Sequence, residues 1–335
     1  MGRLLCTFAC ILVFISSWHG VAMAAKHQLT RVYLLYNPHA GRQQSQKILK
    51  KVLQFFEDHH IDAELLKTEG PWHAKELAEH ALLAGRDAFC VIGGDGTLHE
   101  VVNGLMARDD APTIPLAIIP GGTGNALAED LGLSSIDLAL EALGAGNSAP
   151  MDLGQITFRN PEGKEEQRYF LNLVGLGMGV RANLTAEKLR WMGLHRYNAA
   201  ILYHILKNKG LNAEIKADGS TLVSREANNH PLSIVMIQNT VHGGKNLILA
   251  PAAKIDDGFL DLVFAPKMGR SKMLSLFQRV TKDGSHVTAR GVHAGTFKTL
   301  EINTAAPEPI NIDGENYGTT PVSITVKAKT LEIIR

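Results

Sequence analysis

The sequence predicts an α/β amino-terminal domain, a parallel sheet with helices on both faces, followed by a mostly-β sandwich carboxyl-terminal domain. Three observations carry this reading. Short apolar runs alternate with helical periodicity as far as residue 143. Two glycine-rich runs, Gly93-Gly94-Asp95-Gly96-Thr97 and Gly121-Gly122-Thr123-Gly124-Asn125, each join the end of an apolar run to a helix. Beyond Gly144-Ala145-Gly146-Asn147 the pattern changes to short strands with few helices.

In chain order, Val32 to Tyr36 is a β-type run closed by the loop signal Asn37-Pro38. Ser45 to His59 is helical, with Ile48, Val52, Phe55 and Phe56 on one face. Ala63 to Thr68 reads as a strand, and His73 to Ala84 as a helix that Gly85 ends. Ala88 to Ile92 is wholly apolar, as a strand covered on both faces must be. Thr97 to Met106 is helical, Pro115 to Ile119 is another apolar strand, and residues 126–143 are rich in helix. The later strands fall at Gln155–Phe158, Tyr169–Val174, Ala213–Ala217, Leu232–Gln238, Leu260–Phe264, Thr299–Asn303 and Ser323–Val326. Arg159 to Arg168 reads as a polar hairpin loop, and Ala186–Asn208 and Ser271–Val280 as helices. The expected divisions are a signal-like or anchor segment (1–25), the first domain (28–147), the sandwich (148–320) and a final strand (321–335) that returns towards the first domain.

Apolar residues make up 45% and charged residues 20%, the balance of a globular chain. With a formal net charge of +1 and no basic run, nucleic acid is not an expected partner. Cys6, Cys10 and Cys90 form neither a disulfide framework nor a zinc pattern, and no histidine lies in a metal-binding motif. Arg3, the apolar stretch Leu4–Trp18 and Ala22-Met23-Ala24 have the pattern of a secretory signal or short anchor. Met23 is an alternative start, immediately before the first strand.

The chemistry is concentrated in the glycine-rich runs. Glycines let backbone N–H groups approach phosphate oxygens, and the following helix N-terminus favours anionic charge. Asp95 would repel phosphate unless a divalent cation lies between them, which suggests Mg²⁺. Thr97 is suited to cap the helix and to bond phosphate. The run lacks the G-K-[ST] ending of a Walker A loop, and an ordinary strand-to-helix turn is its structural alternative. The second run repeats the arrangement about 28 residues later, and two such loops at neighbouring strand ends build one pocket.

These residues resemble the diacylglycerol kinase catalytic domain family. The resemblance is carried by Asn37-Pro38-His39-Ala40-Gly41, by Thr68 with His73-Ala74, by the run from Gly93 through His99-Glu100-Val101-Val102-Asn103, and by Pro120 to Ala128. It continues through Asp256 to Asp261 and Asp313-Gly314-Glu315, so it covers nearly all of the chain after residue 30. Asn125 to Ala128 and Glu187 to Gly193 look most like the sphingosine and ceramide kinase branch. The resemblance implies a nucleotide domain related to phosphofructokinase and NAD kinase, a lipid-binding β-sandwich, ATP as phosphate donor, Mg²⁺, and a lipid substrate at a membrane surface.

By position, the resemblance assigns nucleotide contacts to Asn37, Thr68, Gly93, Gly94, Asp95, Gly96, Thr97, Leu98, His99, Glu100, Gly122, Thr123, Gly124 and Asn125. It assigns a structural metal to Lys254, Asp257 and Phe259, the first and last through backbone carbonyls, and the general base to Asp313 with Glu315 beside it. Were that segment extended, the two carboxylates would share a side; a Gly turn between strands is the alternative. One departure is clear: Arg181, with Asn183 two residues on, stands where sphingosine and ceramide kinases carry an Asp. Asp152 is a further candidate for the polar network near Asp95.

The expected function is therefore an ATP-dependent lipid kinase acting on a diacylglycerol- or sphingoid-type hydroxyl. An NAD kinase-like enzyme and a nucleotide- or lipid-binding protein without turnover are the alternatives. A need for ATP places the protein in the cytoplasm, peripherally membrane-associated or anchored by its N-terminus, with export the lesser reading. The acceptor lipid is not legible, and the oligomeric state is open, a homodimer included.

Overall fold

The computed structural model describes residues 25–109, 114–207, 209–224, 231–244 and 247–335. The signal-like stretch before Ala25 lies outside them. The first domain runs β1 (Ala25–Lys26), β2 (Arg31–Tyr36), α1 (Ser45–Asp58), β3 (Asp62–Lys67), α2 (His73–His80), β4 (Ala88–Gly93), α3 (Asp95–Leu105), β5 (Leu116–Pro120), α4 (Ala126–Asp130) and α5 (Ile136–Ala145). The strands pair in parallel in the order β3-β2-β4-β5. Successive side chains on a strand point to opposite faces. Tyr33, Leu35, Phe89 and Val91 therefore pack under α2 and α3 in one core. Val32, Leu34, Cys90 and Ile92 pack under α1 and α5 in another. This two-sided burial is why Ala88 to Ile92 contains no polar residue.

The second part contains β6 (Asn147–Arg159), β7 (Glu165–Phe170), β8 (Leu173–Gly177), α6 (Met178–Lys188), α7 (Arg196–Lys207), β9 (Ala213–Ala217) and β10 (Ser220–Val223). It continues with β11 (Leu232–Gln238), β12 (Leu260–Pro266), α8 (Arg270–Lys282), β13 (His293–Phe297), β14 (Thr299–Thr304), β15 (Pro309–Ile312) and β16 (Glu315–Ile334). One sheet has the order β13-β12-β11-β8-β15-β16, and the other β10-β9-β14-β16-β6-β7. Phe158, Phe170, Val235, Ile237, Phe297 and Ile302 lie in the core between them.

β16 joins the two parts. Its start pairs with β15, its middle with β14 and β6, and Ile333 and Ile334 pair in parallel with Leu116 and Ala117 of β5. The sequence reading places Ser323–Val326 and a final strand over 321–335 here, and misses the start of this 20-residue strand at Glu315. The missed start, Glu315–Thr319, is largely polar because its side chains are half-buried or exposed, and pairing there is carried by the backbone.

A second difference concerns the helix expected over Ala186–Asn208. It is two helices, α6 and α7, separated by a 3₁₀ turn at Arg190–His195. Gly193 takes φ 58° and ψ −129° there, a conformation that breaks any helix and that glycine accepts without strain.

After α8 the chain makes a 3₁₀ turn at Ser285–Thr288, with His286 buried. Burial pulls the His286 pKa below its ordinary value. The folded state then binds fewer protons than the unfolded state, so stability is present above the unfolded pKa and is lost as pH falls through the folded one. Melting temperatures measured between pH 7.5 and pH 5 should fall less steeply in His286→Leu than in the parent. An unchanged slope would remove His286 as a cause.

Candidate active site

Three loops meet at the carboxyl ends of β2, β4 and β5. A Cβ on Gly122 would lie 2.5 Å from the Cα of Gly94, and one on Gly94 would lie 2.9 Å from the Cα of Gly122. The two glycine-rich loops therefore pack backbone against backbone. Gly41, at φ +57°, closes the third side, where a Cβ would lie 2.2 Å from the Gly121 carbonyl oxygen. Gly121 N–H donates to the Gly93 carbonyl at 2.8 Å, which fixes the spacing of the loops.

Side chains lock this arrangement. Asn37 Nδ2 donates to Thr97 Oγ1 at 2.9 Å, tying the β2 loop to the first turn of α3. Asn125, at φ 52°, folds back so that its Oδ1 accepts from Gly122 N–H (2.9 Å) and its Nδ2 donates to the Gly122 carbonyl (3.1 Å). Thr68 is buried at the end of β3, and its N–H donates to the Tyr36 carbonyl at 3.0 Å. Thr123, Gly124 and Gly96 are exposed. Gly94 is the N-cap of α3, and no side chain caps that helix. No helix carbonyl serves its first-turn N–H groups, the arrangement that favours an anion at a helix N-terminus.

Three sequence-assigned contacts have other occupations. Leu98 lies one turn into α3 and is buried in the core, so it faces away from the loops. Glu100 Oε2 accepts from the Ala74 N–H at 3.2 Å, near the start of α2. Asp95 does not stand free towards a cation. Its carboxylate accepts from Ala126 N–H (3.1 Å) and Leu127 N–H (3.3 Å), capping α4 and bridging the two loops. Burial raises the Asp95 pKa, the two amides oppose that, and the Asp313 charge adds to it.

His99 differs most from its assignment. It is buried, and its Nδ1 lies 2.9 Å from Asp313 Oδ2. Asp313 also accepts from the N–H groups of Leu171 (2.9 Å), Asn172 (2.8 Å) and Leu173 (3.0 Å). Asp313 and Gly314 take φ 49° and 99°, which makes them the two-residue turn of the β15–β16 hairpin. The segment is not extended, so the carboxylates do not share a side: Asp313 is buried and Glu315 is exposed. Tyr317 stacks on His99 at 5.5 Å between centroids, and Trp72 meets both rings. Arg168 places its guanidinium 3.7 Å from the Tyr317 ring centroid and 4.4 Å from that of Trp72.

Asn103 holds this junction. Its Nδ2 donates to the carbonyls of His99 and Tyr169, both at 2.9 Å, and its Oδ1 accepts from Tyr169 N–H at 2.9 Å. One side chain so binds both main-chain groups of a β7 residue to α3. Asn103→Leu would leave buried groups of Tyr169 unpaired and should cost roughly 2–4 kcal/mol, read from denaturant unfolding. No role was drawn from the sequence for Asn103, Tyr169, Arg168, Trp72 or Tyr317. For Asn103 the signal was its place four residues after His99, on the same helix face.

The expected metal residues lie together in the loop that leads into β12. Asp257 Oδ1 accepts from Phe259 N–H at 3.0 Å, and Lys254 is exposed. Among the described residues no group of three or more His, Cys, Asp or Glu is placed to hold an ion. Asp152 does not reach the Asp95 network. It accepts from the N–H groups of Gly258 and Lys329, both at 2.6 Å, and ties that loop to the bend of β16. Arg181 pairs with Glu308 at 2.9 Å and donates to the Lys209 carbonyl, while Asn183 Nδ2 donates to the Gly314 carbonyl at 2.7 Å.

A nucleotide-kinase-like α/β domain with an open helix N-terminus, joined through a buried His–Asp pair to a β-sandwich, defines the class. Residues 31–156 match the diacylglycerol kinase catalytic domain, and residues 172–335 match the YegS C-terminal NAD kinase beta sandwich-like domain. The chain thus carries a diacylglycerol kinase catalytic domain followed by a YegS-type C-terminal domain, and its relatives named diacylglycerol kinase and sphingosine kinase are kinases that act on alcohol acceptors. It is 29% identical to a diacylglycerol kinase of Bacillus subtilis over 297 residues, 88% of this chain and 92% of that one. It is 28% identical to sphingosine kinase 1 of Arabidopsis thaliana over 340 residues, 85% of this chain and 68% of that one. A crystal structure from Bacillus anthracis, assigned as a diacylglycerol kinase, superposes with a TM-score of 0.73 at 25% identity, covering 92% of this chain and 96% of that one.

Proposed function

We propose that the protein transfers the γ-phosphoryl group of ATP to a primary hydroxyl of a diacylglycerol- or sphingoid-type lipid. The observation that carries this reading is the buried His99–Asp313 pair, which starts one turn beyond the uncapped N-terminus of α3. The phosphates lie over the α3 amides between the loops at Gly94 and Gly122. Mg²⁺ bound with the nucleotide would neutralise the charge of its phosphates.

The proton of the acceptor hydroxyl has one place to go within the pair. Four donors already occupy the Asp313 oxygens, which matches a carboxylate's acceptor capacity. With Asp313 accepting, His99 carries its proton on Nδ1 and presents a lone pair at Nε2. Its nearest partner is Asn103 Nδ2 at 3.4 Å, and that nitrogen already donates to two carbonyls. The acceptor hydroxyl gives its proton to His99 Nε2 as its oxygen bonds to phosphorus and the bond to the leaving ADP oxygen breaks; Asp313 stabilises the resulting imidazolium.

Labelled ATP offered in turn with diacylglycerol, monoacylglycerol, sphingosine, ceramide and NAD tests the reading. Product from one or more lipids is expected. Product from NAD alone would select an NAD kinase, and product from none would leave a binding protein.

A further inference from the structure

The α6–α7 hairpin and α8 carry a concentrated surface unlike the rest of the molecule. More than half of the large apolar side chains exposed among the described residues lie there. Trp191 is 81% exposed in the turn between α6 and α7. Leu202 and Leu206 stand one turn apart on α7, with Tyr203 beside them, all exposed. From Lys188 to Lys209 the sequence has five Lys or Arg and no Asp or Glu, and from Leu262 to Lys282 it again has five and no acid. The whole chain has a net charge of only +1, so these two stretches hold a large local excess. The helices are in contact: Arg270 Nε donates to the Leu206 carbonyl at 2.9 Å. The same hairpin reaches the catalytic turn through Asn183, which bonds the carbonyl next to Asp313.

We propose that this surface docks the protein on an anionic phospholipid bilayer, with Trp191, Leu202, Tyr203 and Leu206 entering the headgroup region and the surrounding lysines and arginines lying over the lipid phosphates. Exposed aromatic and leucine side chains ringed by cations match an interface that is apolar within and negative at its surface. No described helix is long and apolar enough to cross a membrane, so contact is made by this face lying in the interfacial plane. The proposal rests on the acceptor being a lipid: docking here brings the Asp313 turn to within one short helix of the bilayer, and the acceptor enters alongside α6 without passing through water.

The test separates docking from catalysis. Binding of the full chain is measured by co-sedimentation, without ATP, to phosphatidylcholine vesicles with and without about one third phosphatidylglycerol. Binding to the anionic vesicles that weakens at high salt is expected. Leu202→Ser with Leu206→Ser, and separately Lys207→Glu with Lys209→Glu, should each lower it at least about tenfold. Both double variants should phosphorylate a dispersed short-chain acceptor at the parent rate. Equal binding by variants and parent, or equal binding to neutral and anionic vesicles, would overturn the proposal. So would a concentration-dependent dimer that the serine variant dissociates, since a second copy would then cover the face. Vesicle binding without turnover of any lipid would sustain the docking surface while refuting the kinase reading.

Discussion

Gly122→Val is expected to abolish nucleotide binding and to destabilise the first domain by about 3 kcal/mol. The added Cβ would stand 2.5 Å from the Cα of Gly94 and 2.8 Å from Asn125 Oδ1. Neither neighbour can yield cheaply. Gly94 is the N-cap of α3, and Asn125 is doubly bonded to the Gly122 main chain. Separating the loops would also break the Asp95 bridge to α4. Gly96→Ala provides the contrast, because nothing lies within 4 Å of its added Cβ and the residue is helical. That variant should gain up to about 1 kcal/mol in stability, the helix-propensity difference. It should still bind ATP far more weakly, since its methyl occupies the exposed face where the phosphates sit. Calorimetric binding together with thermal unfolding reads both quantities. Parent-like ATP affinity in Gly96→Ala would move the phosphates off the α3 terminus.

The parallel sheet was legible because burial on both faces forces apolar runs, and Ala88 to Ile92 and Pro115 to Ile119 have no other explanation. The loops were legible because close backbone approach excludes every side chain at Gly94 and Gly122. The reading stopped where meaning depends on partners distant in the chain. His99 and Asp313 are 214 residues apart, and only the fold shows that one accepts from the other. Leu98 and His99 are adjacent in a motif, yet helix geometry sends one into the core and the other to the domain junction. Asp95 looked like a phosphate-side carboxylate because its amide partners belong to a helix 31 residues later. At Asp313 the sequence left an extended segment and a Gly turn both open; positive φ at both Asp313 and Gly314 is a tertiary result that Asp-Gly permits and does not demand.

The departure at Arg181 is likewise a matter of partners. A carboxylate at that position would face Glu308 and the Lys209 carbonyl, two groups that both repel it. Arg181 and Glu308 form one mostly buried pair, so changing either alone would leave the other's charge uncompensated. The position where the sphingosine and ceramide relatives place an acid therefore serves here to brace α6 against the loop before β15, and in the proposed mechanism the proton passes to the pair at the end of that hairpin.

Asp313→Asn and His99→Gln should both lower kcat by about 10²–10⁴-fold, for related but separable reasons. An asparagine at 313 brings an NH₂ group to a place where four donors converge. Rotating the amide still leaves its nitrogen facing either the Asn172 and Leu173 amides or the Leu171 amide and His99. In the second case His99 can respond by moving its proton to Nε2 and accepting at Nδ1. The imidazole then donates where it should accept, and the base is lost by tautomer. The leftover amide contact should also cost roughly 2–4 kcal/mol of stability. His99→Gln differs, because glutamine keeps a donor for Asp313 and fills similar volume. Its stability should change by no more than about 1 kcal/mol and its ATP affinity by no more than a few-fold, while kcat falls. This split between kcat and binding is what a proton acceptor predicts and a merely structural histidine does not. Near-parent turnover in His99→Gln beside an inactive Asp313→Asn would return the proton to Asp313 itself, through a rearrangement that frees one of its oxygens. Near-parent turnover in both would place the base outside the pair altogether.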